Sequence, residues 1–139
     1  MAHSPGQHEA YLITDSGLPI ATKVELAETW WKRFKGLQLR KPQPDEHAIL
    51  LRPCSSIHTF WMRFSIDVVF IDEASRAIEV VRAVRPWRAV IPGTRSVAVL
   101  EMTSGSLPEQ LTAGDALQWS TGERVWPLLE SPPVQPDES

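Results

Sequence analysis

The chain has 139 residues, 42% apolar and 22% charged, proportions that suit one soluble globular domain with a single hydrophobic core and exclude a disordered or membrane-embedded chain. Its net charge of −3 is accounted for by Glu123, Glu130, Asp137 and Glu138 against Arg124 alone, so the remainder is close to neutral. That balance argues against broad attraction to nucleic acid or anionic lipid and leaves room only for a local patch.

Cys54 is the single cysteine, which rules out an intrachain disulfide and a cysteine-type zinc site. No stretch approaches the roughly 18 uninterrupted apolar residues of a transmembrane helix. The opening MAHSPGQHEA has no basic segment followed by an apolar one, so no secretory signal is read there and a cytoplasmic location is expected, without membrane contact.

In chain order, EAYLIT and LPIATKVEL are β-rich runs separated by Asp15-Ser16-Gly17, which is turn chemistry, so an N-terminal hairpin is expected. From about Glu28 the period changes: Trp31, Phe34 and Leu37 share a helical face and Gly36 supplies a left-handed stop, which predicts one short α-helix. Pro42 and Pro44 mark a loop, and HAILL resumes an extended run. Alternation then predicts a strand over residues 57–64, a tight turn at Ser65, and a second strand in IDVVFID. Both carry apolar residues on both faces, as strands in the middle of a small barrel or sandwich do. AIEVVRAV, SVAVLEMT and ALQW read as further strands, LPEQL as an extra helical turn, and Gly114 as a turn position with positive φ. The closing GERVWPLLESPPVQPDES is rich in proline and acid. A single domain over residues 8–122 and a disordered tail over 123–139 are therefore expected.

The stretch Cys54 to Asp72, CSSIHTFWMRFSIDVVFID, holds the densest chemistry. Cys54 and His58 stand four apart, a spacing that aligns ligands on a helix but separates them by about 13 Å on a strand. Neither a metal nor a cofactor is expected. Across a Ser65 turn, Arg63 and Asp67 would face each other as a charge-assisted pair, either fixing the hairpin's register with His58 bonded to the backbone, or lining a polar pocket beside Trp61. The run RAIEVVRAVRPWRAVIPGTR carries Arg76, Arg82, Arg85, Arg88 and Arg95 against Glu79 alone. Arginines 85 and 88 flanking Trp87 would suit a phosphate attached to a ring, although strand alternation splits the arginines between two faces. Nucleic acid is not the expected ligand. No phosphate loop, HExxH helix, GxSxG elbow or paired-carboxylate motif is present.

KGLQLR, the CSSIHTFWMRFSIDVVFID segment, VLEMTSG and a GD before a short strand occur here in the order and spacing that resemble the DUF192 family, also called UPF0127. The resemblance runs from about Leu18 to Trp119 and departs from the pattern at Ser65, where proline is expected. It implies a small, β-rich, single-domain protein. The fold expected is thus α+β, mostly β, with a barrel-like or sandwich sheet, one short α-helix and the extra helical turn. The function expected is a monomeric binding module for a small molecule or protein, with candidate residues His58, Trp61, Arg63, Asp67, Arg85, Trp87, Arg88 and Glu101. A hydrolase-like site built from His58, Asp67 and Glu101 is the alternative.

Overall fold

In a computed structural model of the chain, described here for residues 10–28 and 46–130, eleven strands form three sheets. The first sheet has the order β11-β10-β1-β2, from β1 (Tyr11–Thr14), β2 (Pro19–Ala21), β10 (Leu117–Ser120) and β11 (Val125–Pro127). The second has the order β3-β4-β9-β6-β7, from β3 (Lys23–Ala27), β4 (His47–Leu51), β6 (Ile66–Ile71), β7 (Ala77–Val84) and β9 (Ala98–Thr103). A two-stranded unit pairs β5 (Ile57–His58) with β8 (Ala89–Val90).

The N-terminal hairpin forms as expected, with the Gly17 N–H donating to the Thr14 carbonyl at 2.9 Å. β3 and β4 pair in parallel, from Lys23↔His47 to Ala27↔Leu51. A parallel pair needs a crossover of a dozen or more residues, and 28–46 supply it. The short helix expected near Glu28–Gly36 lies almost wholly outside the described residues, as does Gly36.

Otherwise the expected α+β fold is corrected. Among the described residues there is no helix, and the strands form three separate sheets with no closed barrel. LPEQL is a hydrogen-bonded turn, Leu111 N–H to Pro108 carbonyl at 3.2 Å, and not a helical turn. The Arg82 guanidinium donates to the carbonyls of Leu107, Pro108 and Leu111 at 3.3, 2.8 and 3.1 Å and so holds this turn against β7. The strand expected over 57–64 stops at His58, because Thr59 pairs with the chain at 85–88 and Trp61 turns with φ of 69°. No hairpin forms about Ser65; β6 lies between β7 and β9.

One core fills the space between the two large sheets: Leu12, Ile20, Leu117 and Trp119 from the first meet Leu50, Val69, Ile71, Leu100 and Met102 from the second. The opposite face of the second sheet, with Ile49, Ile66, Val68, Phe70, Val84 and Val99, is covered by Ile57 and Met62. This two-sided burial explains why β6 is buried at all six positions.

Strand pairing continues past residue 122. β11 pairs with β10, Leu128 is buried, the Trp119 Nε1–H donates to the Leu128 carbonyl at 2.9 Å, and the Leu129 N–H donates to Ser75 Oγ at 2.9 Å. Two apolar residues, Trp126 and Leu128, are enough to dock the segment once β10 offers it an edge. Residues 131–139 lie outside the described residues.

Asp67 joins the elements. Its carboxylate, 2% exposed, accepts the N–H groups of Ala83 and Gly105 at 2.9 Å each and of Leu107 at 3.4 Å. Ala83 has φ of 56°, and the β6–β7 register shifts between Ile66 and Val68, so the carboxylate fills the place of a ladder partner at a bulge. Gly114 has φ of 101°, as its turn position required.

Asp67→Ala should lower stability by about 3 kcal/mol, because each buried donor left unpaired costs about 1–3 kcal/mol. For a domain of this size that is a fall in Tm on the order of 10 °C in a calorimetric scan. An unchanged Tm would mean that strand pairing alone holds the bulge. Leu128→Ala should cost about 2–4 kcal/mol by the usual penalty for truncating a buried leucine, whereas a disordered tail would give no change in a urea titration.

Candidate functional site

The structure divides the eight candidate residues into one group of six and two that stand apart. His58 lies on β5 opposite Ala89, and the turn after it carries Trp61 and Arg63; Arg85, Trp87 and Arg88 lie on the loop between β7 and β8. These two loops meet at Thr59, which is fully buried. Its N–H donates to the Arg88 carbonyl at 2.7 Å, its carbonyl accepts the Trp87 N–H at 2.9 Å, its hydroxyl donates to the Arg85 carbonyl at 2.6 Å, and Oγ1 accepts the Arg88 N–H at 2.8 Å. One residue thus bonds to three of the four residues in the opposing turn, and both backbones are fixed.

Held this way, the loops project a cluster of rings. The His58 and Phe60 rings are 4.7 Å apart, Phe60 stacks on Trp87 at 5.7 Å and 24°, and Trp61 meets Trp87 edge-on at 4.9 Å and 61°. Trp61 and Trp87 both occupy left-handed backbone, φ 69° and 65°, which for bulky side chains is imposed by the surrounding bonds. The described residues expose six large apolar side chains: Leu26, Phe60, Trp61, Trp87, Ile91 and Val125. Four of them, Phe60 at 39%, Trp61 at 58%, Trp87 at 54% and Ile91 at 78%, belong to this unit and the residue just past β8, so the exposure is concentrated and not scattered.

The arginines sort by position. Arg76 donates to the Gly114 carbonyl at 2.9 Å, Arg82 to the 107–111 turn, and Arg95 lies 3.7 Å from Glu73. Arg63, Arg85 and Arg88 are exposed and, among the described residues, form no ion pair; Arg88 donates to the Pro86 and Trp87 carbonyls, both at 3.4 Å. Residues 53–66 and 80–100 contain no acid, and Glu79 on the neighbouring strand accepts the Gly93 N–H at 3.1 Å. The rim is therefore aromatic and cationic.

Asp67 and Glu101 do not join it. Asp67 is paired with Met102 and shares its side of the second sheet, which faces the first sheet. Glu101, 4% exposed, is paired with Val68 and Ile49 and lies on the opposite side. Asp67 and Glu101 thus face opposite sides of one sheet, and the Asp67 carboxylate is occupied by backbone N–H groups and not by Arg63. His58 Nδ1 accepts the Phe60 N–H at 3.4 Å. Two clefts, of about 450 Å³ beside Lys23, Glu25 and His47 and about 460 Å³ between Arg52, Glu73 and Leu129, include none of the candidate residues. Among the described residues no group of three or more His, Cys, Asp or Glu could hold a metal ion.

Sequence reasoning missed Thr59, Phe60 and Ile91. A lone hydroxyl inside an apolar run, at IHTFW, was the available signal for Thr59; nothing in the period marked Phe60 as exposed.

Fold and site together describe a small domain, all-β among the described residues, with an exposed aromatic rim. The family model of DUF192, described as an uncharacterized ACR, matches residues 11–119, and the chain belongs to this family. It is 34% identical over 108 residues to the UPF0127 protein of Thermococcus sibiricus, covering 73% of this chain and 68% of that one. It is 36% identical over 104 residues to a UPF0127 protein of Pyrococcus horikoshii, covering 71% and 89%. A crystal structure of a protein of unknown function from Novosphingobium aromaticivorans superposes with a TM-score of 0.71 at 18% identity, over 86% of this chain and 99% of that one, a likeness of fold alone.

Thr59→Val keeps the side-chain shape and removes the hydroxyl. It should cost about 2 kcal/mol, the scale of leaving a buried partner unpaired, and broaden the indole resonances of Trp61 and Trp87 in a proton–nitrogen spectrum. Sharp, unshifted indole signals would show that ring packing alone orders the rim.

Proposed function

We propose that this chain is a binding module whose contact surface is the rim of Phe60, Trp61 and Trp87 with Arg63, Arg85 and Arg88, and that its partner presents negative charge beside an apolar or ring surface. The observation that carries this reading is the sorting of the arginines: the three beside the exposed rings have no acidic partner among the described residues, while Arg76, Arg82 and Arg95 are engaged elsewhere. Exposed indoles cost solubility, and fixing two of them in left-handed backbone adds strain, so a surface of this kind is readily explained by a contact it makes. Guanidinium groups supply planar donors for phosphate or carboxylate, and the rings supply contact area at low entropic cost. A cytoplasmic location belongs to the same reading.

A thermal-shift screen against nucleotides, sugar phosphates and acidic peptides tests it. A ligand at about 100 times its Kd should stabilise the wild type by about 2.7 kcal/mol. The double variant Trp61→Ala/Trp87→Ala should keep its own Tm, since both rings are exposed, and lose that stabilisation. A ligand that stabilises both proteins equally would place the binding surface elsewhere.

A further inference from the structure

We infer that the rim docks on an anionic phospholipid surface, an inference that rests on the binding-module reading and names its partner. The side chains presented are those of an interfacial contact: two amphipathic indoles, a phenyl ring and an aliphatic side chain, Ile91, which is the most exposed of the six. Stacking on a base or sugar accounts for the rings but gives Ile91 no role. Burial at the boundary between headgroups and acyl chains accounts for all four.

The charge pattern agrees. Arg63, Arg85 and Arg88 are exposed, unpaired to acid and on the same two loops as the rings, while residues 53–66 and 80–100 hold no Asp or Glu that would repel a phosphate plane. Headgroup phosphates take guanidinium bidentately, and each basic residue near an anionic leaflet adds attraction within a Debye length. A lipid surface also requires no shaped pocket. Among the described residues no helix is long and apolar enough to cross a membrane, so the contact inferred is peripheral and made by loops. The Thr59 bonds matter here because loops ordered in advance carry no ordering cost at the moment of contact.

The full chain would be mixed with vesicles of phosphatidylcholine alone or with one quarter phosphatidylglycerol, and binding read by flotation and tryptophan emission. Binding to the anionic vesicles should be about tenfold tighter or more than to the neutral ones, with a blue-shifted emission, and should weaken severalfold as salt is raised. Arg63→Gln/Arg85→Gln/Arg88→Gln should abolish the preference for anionic vesicles, and Ile91→Ser with Trp61→Ala should reduce binding to both; unchanged Tm values would exclude unfolding. Absence of vesicle binding, indifference to phosphatidylglycerol, or variants that bind like the wild type would overturn the inference. So would tighter binding of single-stranded oligonucleotide through the same residues. If a soluble anion still stabilises the chain through Trp61 and Trp87, the binding module stands and only the lipid partner falls.

Discussion

Much of this fold depends on one buried carboxylate. Asp67 stands on the second of five strands from an edge and reaches two other places at once, the Ala83 bulge and the Gly105–Leu107 turn. A buried carboxylate must be matched by donors, since an isolated charge in a core is far too costly to persist. Here the donors are backbone N–H groups that the bulge and the turn would otherwise leave unpaired. The arrangement is reciprocal with Arg82, which takes carbonyls of the same 107–111 segment. Acid and base hold one loop by its opposite backbone groups without meeting each other.

The consequence reaches the rim. A bulge bends its strand and increases its twist, and Ala83 lies two residues before the loop that carries Arg85, Trp87 and Arg88. The end of β7 is thereby turned toward the chain leaving β5, where Thr59 receives it. Asp67 was read as a site residue; its contribution is to aim a loop on which the exposed residues stand.

The rim illustrates how two surface loops are kept in one shape. Two-residue strands are too short to be stable alone, and β5 and β8 persist because Ile57 and Val90 pack on the second face of the large sheet while Thr59 ties their loops.

The sequence by itself determined the strand content, because period-two alternation and uninterrupted apolar runs mark HAILL, IDVVFID, AIEVVRAV and SVAVLEMT whatever surrounds them. It also determined the hairpin at Gly17, the positive φ at Gly114, the concentration of chemistry in two segments, and the family, through four motifs in fixed order. Only the tertiary structure decided which segments pair. Ile57–Phe64 alternates as a strand does, yet Thr59 finds its partners across the fold at residues 85–88, and local periodicity carries no record of a partner 26 residues away. LPEQL has helical composition, but it closes a single turn that Arg82 ties to β7; Leu128 looked like tail until the edge of β10 gave it a place to bury. Asp67 and Glu101 are both acids on neighbouring strands, and only register, Asp67↔Met102 and Val68↔Glu101, puts them on opposite faces of one sheet.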